Sequence, residues 1–497
     1  MPSLRPGARV SGQLSEMFDN PLIPVWKRAP LLTLYAAAIM VGGLAQLALG
    51  ADTGVVEAAV GAALISVVPA LVFGVRDLPA LIALSIGARF AASAIAWRLF
   101  IGRRMDIDLY DPHESFVVIL CGVSAIVLAV FAAHLLYHRR PLFRESYTAP
   151  GMEILVGAGA LATLLGFALA SSKTGISGGI GALTATGTTL LPIALMGYNL
   201  ARGRPALTRG LWITVLFLSI LGVAVNSRQG VLQPLTGVFF FILCFHVPVS
   251  RNLIVGAVLG GFVFIAVISP VMIGVRSARN FATPDQMIGL TLAALDSGEV
   301  RATAEDIDRI RELFGGTYAL HYTSGGGEVV QRMVNVEQMD IVIDRAHRFG
   351  QIGTSRFWQG IVELLPSFMV SDKSIISTPS YALWIYGVQS WGNESNATLT
   401  PFGDAYAYGG IEFVISSMFV IYLIVFLLFR MFCPRLEDSL FAVFIVASYI
   451  HIMTEQTTVG LLAMPLREFP FELALFWTVS KVRHPLFALF GPSIPGE

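Results

Sequence analysis

Long apolar runs separated by short polar connections make up most of this chain. A helix that crosses the hydrocarbon core of a bilayer needs about 20 mostly apolar residues, and most of the runs approach that length. They cover residues 31–49, 56–75, 80–101, 116–137, 152–170, 181–200, 211–226, 231–249, 253–273, 411–432, 440–452 (extended towards 460) and 461–479. We therefore expect an all-α fold, a polytopic membrane protein with about 12 transmembrane helices.

The composition agrees with that expectation. Hydrophobic residues make up 55% of the chain and charged residues only 13%, whereas a soluble domain carries about 25% charged residues. The 33 basic and 33 acidic residues balance, so the net charge gives no reason to expect nucleic acid as a partner. Cys121, Cys244 and Cys433 lie in or beside apolar runs, and no disulfide framework is expected.

Basic residues are concentrated in alternate connections, which orients the chain in the membrane. The N-terminal arm is basic, and so are the connections near residues 139–144, 202–209, 251, 430–435 and 481–483. Because Lys and Arg are enriched in cytoplasmic loops, we expect both termini in the cytoplasm. The clearest exception is Arg103 with Arg104, and this pair has several acidic neighbours in the sequence.

This orientation places one long segment outside the membrane. The expected organisation is a cytoplasmic arm (1–30), nine transmembrane helices (31–273), a large external loop (274–410), three further transmembrane helices (411–480) and a cytoplasmic tail (481–497). A loop of this length normally has structure or a function of its own. Apolar residues at helical spacing predict amphipathic helices over 334–349 and 355–365 of the loop.

Two arginines fall inside the third apolar run. An ionised side chain is costly to bury in a membrane span, so its presence suggests a function. Arg89 lies in the middle of the run, where it either has such a function or forms a buried ion pair with a carboxylate such as Glu57. Arg98 lies nearer the outer end, and we expect its side chain to snorkel to the interface.

Three more arginines lie at the outer face. Arg228 sits in a very tight connection between two apolar runs, and its planar guanidinium suits an anionic headgroup or a pyrophosphate. Arg276 and Arg279 follow the ninth run at i, i+3 spacing, so they share one helical face and would repel unless they bind a common anion. The alternative for all three is interfacial anchoring on ordinary lipid phosphates.

An acidic pair follows the third run. Asp106 and Asp108 resemble the carboxylate pair of metal-dependent glycosyltransferases. A solvated loop in which these carboxylates balance Arg103 and Arg104 is the better interpretation, because two acidic residues alone are a weak metal signal.

The histidines offer no clear metal site. His321 and His347 lie in the long loop without Cys or His partners at ligand spacing, so no zinc site is expected. His451 and Glu455 are four residues apart near the end of a run, where they form a pair that is either structural or proton-handling. We therefore expect neither a metal nor another cofactor.

Four features stand out late in the chain. They are the Ser-Arg-Gln-Gly turn at 227–230, the large loop before a few closing spans, the Arg-Phe-Trp-Gln-Gly segment at 356–360 with Leu-Pro after it, and the segment 401–410 directly before a span. Together they resemble the O-antigen polymerase (Wzy-type) family and, more loosely, the O-antigen ligases. In the last segment Asp404 stands where that family commonly has Glu, and Tyr408 where Asn or Phe is usual.

The resemblance implies a membrane glycosyltransferase with a GT-C-like fold and an active site facing the periplasm of a bacterial inner membrane. Such an enzyme joins undecaprenyl-pyrophosphate-linked oligosaccharide repeat units into a surface polysaccharide, an O-antigen or an exopolysaccharide, without a metal. The implied partners are the lipid-linked glycan, membrane lipid, a chain-length regulator and a flippase.

The resemblance also implies which residues act. Fixed arginines stabilise the negative charge that develops on the leaving pyrophosphate, and a carboxylate or a histidine takes the proton of the acceptor hydroxyl, with Asp404 as the first choice. The expected catalytic residues are Arg228, Arg276, Arg279 and Asp404, and the expected substrate-binding residues are Arg356, Trp358, Tyr406 and Arg89. For Arg356, a salt bridge within the loop is the alternative.

Other functions fit the same sequence. An O-antigen ligase-like enzyme uses the same kind of donor with a different acceptor. A flippase or secondary transporter for lipid-linked glycans favours polar, broken helices at the midplane, often in two matching halves, and the sequence has no such halves. A structural partner without chemistry is a further alternative. The distinctive residues cluster at one face, which argues against a transporter.

Overall fold

The computed structural model is helical along most of the chain that it describes. The described residues are 30–137, 141–142, 148–171, 177–224, 228–245, 247–268, 271–272, 284–297, 322, 334–364, 370, 381–386, 399–436, 439–450 and 452–482. Within these ranges there is no β-strand, and Asp77 and Arg435 form an isolated antiparallel bridge. The expected all-α fold is confirmed for this part of the chain.

The α-helices are numbered here in chain order. They are α1 (Pro30–Ala48), α2 (Thr53–Ile65), α3 (Val68–Phe73), α4 (Leu78–Gly87), α5 (Ser93–Phe100), α6 (Pro112–Leu136), α7 (Ala149–Ser171), α8 (Ser177–Ala201), α9 (Arg209–Ala224), α10 (Arg228–Phe245), α11 (Arg251–Val263), α12 (Pro284–Ser297), α13 (Val336–Phe349), α14 (Thr354–Glu363), α15 (Tyr381–Ile385), α16 (Pro401–Phe432), α17 (Leu440–Tyr449), α18 (Ile452–Glu455), α19 (Thr458–Ala463) and α20 (Phe469–Lys481). Segments of π-helix interrupt the series at Ala88–Ala92, Phe264–Ile268 and Met464–Glu468. The two amphipathic helices expected in the long loop coincide with α13 and α14.

Several of these helices are long and apolar enough to cross a membrane. By length and composition, the described residues contain six such helices: Pro30–Ala48, Thr53–Phe73, Leu78–Phe100, Pro112–Leu136, Ala149–Ala168 and Pro401–Phe432. Shorter apolar helices cover Arg209–Ala224, Gly230–Phe245, Arg251–Val263 and Leu440–Glu455. This set fits a polytopic membrane protein, and the total of about 12 spans stays a prediction.

Helix starts around the centre of the bundle follow directly from the sequence. The side chains of Asp77, Asp111 and Thr400 each accept a hydrogen bond from a backbone N–H three residues further on, at the starts of α4, α6 and α16. A proline occupies the first turn of each helix, where its missing N–H costs no hydrogen bond. These caps fix where the three helices begin.

Helix α6 is the centre of the packing. It contacts α2, α4, α13 and α16. A Cβ atom added at Gly122 of α6 would lie 2.5 Å from the ring of Phe402 in α16, so the two helices approach more closely than a larger residue permits. The start of α16 is thereby fixed against α6.

One end of the bundle, which we call the α13 end, gathers the connections that the charge pattern places outside. The backbone N–H of Asp52 donates to Asp106 at 3.2 Å, which joins the connections after α1 and α5. The N–H of Tyr110 donates to Asp340 of α13 at 2.6 Å. The connections before α2 and α6 therefore meet α13 at the same end.

The opposite end gathers connections that the charge pattern places inside. The N–H of Leu78 donates to the carbonyl of Pro434 at 3.1 Å, and that of Leu142 to the carbonyl of Met431 at 2.7 Å. Asp77 also contacts the basic side chain of Arg430 at 3.4 Å. Since α6 has 25 residues, the two ends lie about 37 Å apart at 1.5 Å per residue, enough to span a bilayer. The direction of insertion stays a prediction.

Helix α16 is broken near its start. The segment from Pro401 to Tyr408 is buried throughout, and the backbone leaves the helical conformation at Gly409 and Gly410. At the break, the carbonyl of Ala407 accepts the N–H of Ile352 at 2.8 Å, so this carbonyl has a hydrogen-bond partner from outside the helix. The sequence segment 401–410 is therefore a short helix packed inside the protein, before the long apolar part of α16.

Gly410→Ala is expected to destabilise the protein by about 1–3 kcal/mol, because a φ of 67° with a ψ of −161° is open almost exclusively to glycine. The added methyl group would also meet the side-chain amide of Gln351. The measurement is the thermal unfolding midpoint in detergent. The control is Gly256→Ala in α11, where a Cβ atom meets open space, so its midpoint should not fall. Equal midpoints for the two variants would contradict the assigned break.

Candidate active site

Four polar side chains meet at the α13 end of the bundle. His347 Nε2 lies 2.6 Å from the hydroxyl of Tyr406, and His347 Nδ1 lies 3.2 Å from Asp111 Oδ2. The Tyr406 hydroxyl also lies 3.2 Å from Glu114 Oε1. We call Asp111, Glu114, His347 and Tyr406 the relay, because two hydrogen bonds and one ion-pair contact connect them in one chain.

Three helix ends bring the relay together. Asp111 is the N-cap residue of α6, and Glu114 lies in the first turn of that helix. His347 lies in the last turn of α13. Tyr406 comes from the buried first segment of α16. Helix ends place Asp111 and His347 at the surface of the bundle, while Tyr406 lies buried beneath them.

The hydrogen-bond partners constrain how protons are arranged in the relay. Nδ1 of His347 lies at ion-pair distance from the Asp111 carboxylate, so a ring protonated at Nδ1 is favoured there. In the neutral ring, Nε2 then accepts the hydroxyl hydrogen of Tyr406. The Tyr406 hydroxyl can also donate that hydrogen to Glu114, whose Oε1 lies 3.2 Å away. An imidazole paired with a carboxylate in this way has the chemistry that a general base needs.

The relay is open to solvent on its histidine side. The side chain of His347 is 48% exposed and that of Asp111 is 35% exposed. The imidazole is therefore half-exposed, whereas Tyr406, only 4% exposed, lies beneath it in the protein.

Asp404 occupies a different place from the relay. It is 2% exposed, and its carboxylate accepts the backbone N–H of Thr458 at 2.9 Å and the hydroxyl of the same residue. Thr458 is the first residue of α19, so the carboxylate caps that helix and joins it to α16. This geometry suits a structural cap, and the expected role of Asp404 as proton acceptor stays a prediction.

Arg89 has a different partner from the one expected. Its guanidinium donates to Thr454 at 2.6 Å and forms an ion pair with Glu455, while Glu57 is exposed to the surroundings of the bundle. The suggestion of Glu57 was wrong because hydropathy does not reveal which helices become neighbours. Arg89 and Asp404 nevertheless bind the same part of the chain, residues 454–458.

The side chain of Arg98 does not snorkel. It is fully buried, and it donates to the carbonyls of Arg104 (2.8 Å), Tyr322 (3.0 Å) and Ile107 (3.2 Å) and to the carboxylate of Asp108 (3.0 Å). The expectation was wrong because the connection after α5 folds back over the end of that helix. Arg98 thus holds this connection against Tyr322 of the long loop.

The two carboxylates of the acidic pair after α5 form ion pairs with arginines. Asp106 forms an ion pair with Arg104, and Asp108 lies 3.0 Å from Arg98 and 3.6 Å from Arg103. The interpretation of a loop with balanced charges is confirmed. Among the described residues, no group of three or more His, Cys, Asp or Glu side chains is arranged to hold a metal ion.

Helix α14 presents two of the expected substrate-binding residues outward. Arg356 is exposed and donates to Gln359 at 3.2 Å, and Trp358 is 62% exposed. Between them, Phe357 packs edge-on against Tyr408, with ring centroids 5.8 Å apart. Phe357 therefore anchors the helix on α16, while the Trp358 side chain stays exposed. Binding of sugars by Trp358 and Arg356 stays a prediction.

The expected pyrophosphate-binding arginines are only partly within the described structure. Arg228 begins α10, and its side chain lies outside the described part. Arg276 and Arg279 lie outside the described residues altogether, and so do His321 and His451. The grouping of the three arginines stays a prediction.

The chain matches no protein-family model, no curated protein and no solved structure. The resemblance to the O-antigen polymerase family therefore rests on the sequence motifs alone. The site itself is defined by its geometry, a carboxylate–imidazole pair at one end of an apolar helical bundle.

Proposed function

We propose that this chain is a membrane-embedded glycosyltransferase. It polymerises undecaprenyl-pyrophosphate-linked oligosaccharide repeat units at the periplasmic face of a bacterial inner membrane. The observation that carries the proposal is the relay. A half-exposed imidazole paired with a carboxylate lies at the end of the bundle that the charge pattern predicts to be outside, and Tyr406 of the family-like segment 401–410 contacts it.

In the proposed reaction, the acceptor sugar hydroxyl binds beside His347. The Tyr406 hydroxyl moves away from Nε2 and donates its hydrogen to Glu114, and Nε2 of His347 then faces the acceptor hydroxyl and takes its proton. The acceptor oxygen attacks the anomeric carbon of the donor, and the bond from that carbon to the pyrophosphate oxygen breaks. Asp111 stabilises the imidazolium through the ion-pair contact at Nδ1. The chain thus supplies the base, its orienting carboxylate and the hydroxyl that shields it.

The leaving group needs positive charge, because undecaprenyl pyrophosphate gains a negative charge as the anomeric bond breaks. Arg228, Arg276 and Arg279 supply it in this proposal. A guanidinium binds two phosphate oxygens in one plane, and it does so without a metal.

Removing the protein from its cells distinguishes this proposal from the flippase and ligase alternatives. Loss of a polymerase leaves single repeat units on the lipid carrier at the outer face, where an externally added glycosidase reaches them. Loss of a flippase leaves them at the inner face, and loss of a ligase leaves long glycans on the carrier. We expect the first pattern, and either of the others would overturn the proposal in favour of the corresponding function.

The α13 end is expected to face the periplasm. In a variant whose three native cysteines are replaced, a cysteine at Ser324 should react with an impermeant thiol reagent added to intact spheroplasts. A cysteine at Leu142, which is exposed at the opposite end, should react only after lysis. The reverse pattern would place the relay on the wrong side of the membrane for this reaction.

Polymerisation by the purified protein is expected to survive excess EDTA, because arginines supply the positive charge at the leaving group. The measurement is glycan length with and without the chelator. Loss of activity in EDTA, restored by magnesium or manganese, would contradict this and would favour Asp106 and Asp108 as metal ligands.

A further inference from the structure

A buried carboxylate lies next to the relay without belonging to it. Asp340 of α13 is 1% exposed, and it accepts three hydrogen bonds. The backbone N–H groups of Tyr110 and Asp111 donate to it at 2.6 and 3.0 Å, and the hydroxyl of Ser115 donates at 2.8 Å. All three donors come from the start of α6 or the residues just before it.

These bonds attach α6 to α13 at the point where the relay forms. Asp340 and His347 are seven residues apart on α13, so they lie on one helical face, two turns apart. Asp340 binds the backbone of Asp111, and His347 contacts its carboxylate at 3.2 Å. The start of α6 is thus held at two points of the same helix.

This attachment determines which oxygen of Asp111 is left for the base. The Asp111 N–H is taken by Asp340, and Oδ1 accepts the N–H of Glu114 at 3.3 Å within the helix cap. Oδ2 is then directed at His347 Nδ1. With its backbone held and one oxygen already bonded, the Asp111 carboxylate is preorganised for the imidazole.

We propose that Asp340 is the positioning residue of this site, which fixes Asp111 against His347 and thereby orients the general base. The proposal rests on the proposed glycosyltransferase function, since it concerns the same base. Asp340 itself touches no substrate.

A carboxylate is required at this position because it offers acceptors only. Tyr110 and Asp111 present backbone N–H groups, so an amide in place of Asp340 directs its own NH2 group at one of these donors. Burial raises the pKa of Asp340 to about 6, against the opposing effect of the hydrogen bonds from Tyr110, Asp111 and Ser115. Other ionisable groups around it are Asp111 from α6 and Tyr322 from the long loop. At pH 7.5, Asp340 is therefore ionised and binds all its donors.

The test is a double-mutant cycle at pH 7.5 with purified protein and lipid-pyrophosphate-linked repeat units. Asp340→Asn should lower kcat about 10- to 100-fold with little change in KM, because a small displacement of an orienting group costs this much. In the background of Asp111→Asn, the same substitution should change the rate less than about threefold, because Asp340 acts through Asp111. The control is Asp344→Asn on the same helix, whose partner is Arg348 one turn later, and it should keep full activity.

Three outcomes separate the inference from the function. An inactive wild-type protein overturns the proposed function and this inference with it. An active wild-type protein with an Asp340→Asn rate equal to that of Asp344→Asn overturns the inference alone. The inference is also overturned if Asp340→Asn lowers kcat as much in the Asp111→Asn background as in the wild-type protein, because Asp340 then does not act through Asp111. If Asp340→Asn does not accumulate in the membrane, Ser115→Ala replaces it, because this variant removes only one of the three hydrogen bonds to Asp340. Ser115→Ala is expected to lower activity in the wild-type background but not in the Asp111→Asn background.

Discussion

His347→Ala is expected to reduce polymerisation about 10²- to 10⁴-fold while the protein still inserts and accumulates. This is the range that a positioned general base contributes, and His347 is the imidazole of the relay, with Asp111 at one nitrogen and Tyr406 at the other. Its half-exposed side chain makes a small contribution to packing, so folding should be unaffected. Polymer amount and membrane protein level are measured together.

The matched control for that variant is His113→Ala. His113 is also a histidine at the α13 end, it lies in the first turn of α6, and its side chain is exposed. It has no place in the relay, so polymer should stay at the wild-type level. Equal polymer from both histidine variants would show that His347 is not catalytic. The proposed function would then lose the observation on which it rests.

Arg228→Lys is expected to cut polymerisation about 10- to 150-fold, because losing one charge-assisted hydrogen bond costs about 1.5–3 kcal/mol if it is felt in the transition state. Lysine keeps the charge but binds as a point, whereas the guanidinium binds two oxygens. Arg276→Lys and Arg279→Lys should act in the same direction. Polymer length and amount are compared with protein abundance for each variant.

Arg98 is unsuitable as the control for these substitutions, because it is buried and holds the connection after α5. Arg348→Lys serves better, since Arg348 is 58% exposed and pairs with Asp344 on the surface of α13. Normal polymer from all three lysine variants at Arg228, Arg276 and Arg279 would make those arginines interfacial anchors. A selective loss at Arg228 would restrict the pyrophosphate site to that tight turn.

Most of the helices can be predicted from the sequence. An apolar run of membrane length has few alternatives to a helix, because a bilayer leaves no partner for an unpaired backbone. Capping residues such as Asp111 and Thr400, each followed by proline, also mark helix starts without any tertiary information. The break of α16 is harder, since glycines at 409 and 410 suggest it but the stabilising contact from Ile352 comes from another segment.

The relay could not be predicted from the sequence, and the reason is physical. Tyr406 lies 292 positions from Glu114 and 59 from His347, so no local spacing connects the three. They meet because α6, α13 and α16 pack together, and hydropathy does not specify which helices become neighbours. The same limitation explains Arg89, whose partner Glu455 is 366 positions away.

The most direct test of the proposed function is reconstitution. Purified protein in nanodiscs is incubated with undecaprenyl-pyrophosphate-linked repeat units, and the glycans are separated by length. The account predicts a ladder of products with two or more repeats and a matching release of undecaprenyl pyrophosphate from the wild-type protein, with neither from His347→Ala. Single repeats that remain unchanged with active, folded wild-type protein, or a ladder of equal yield from His347→Ala, would contradict it.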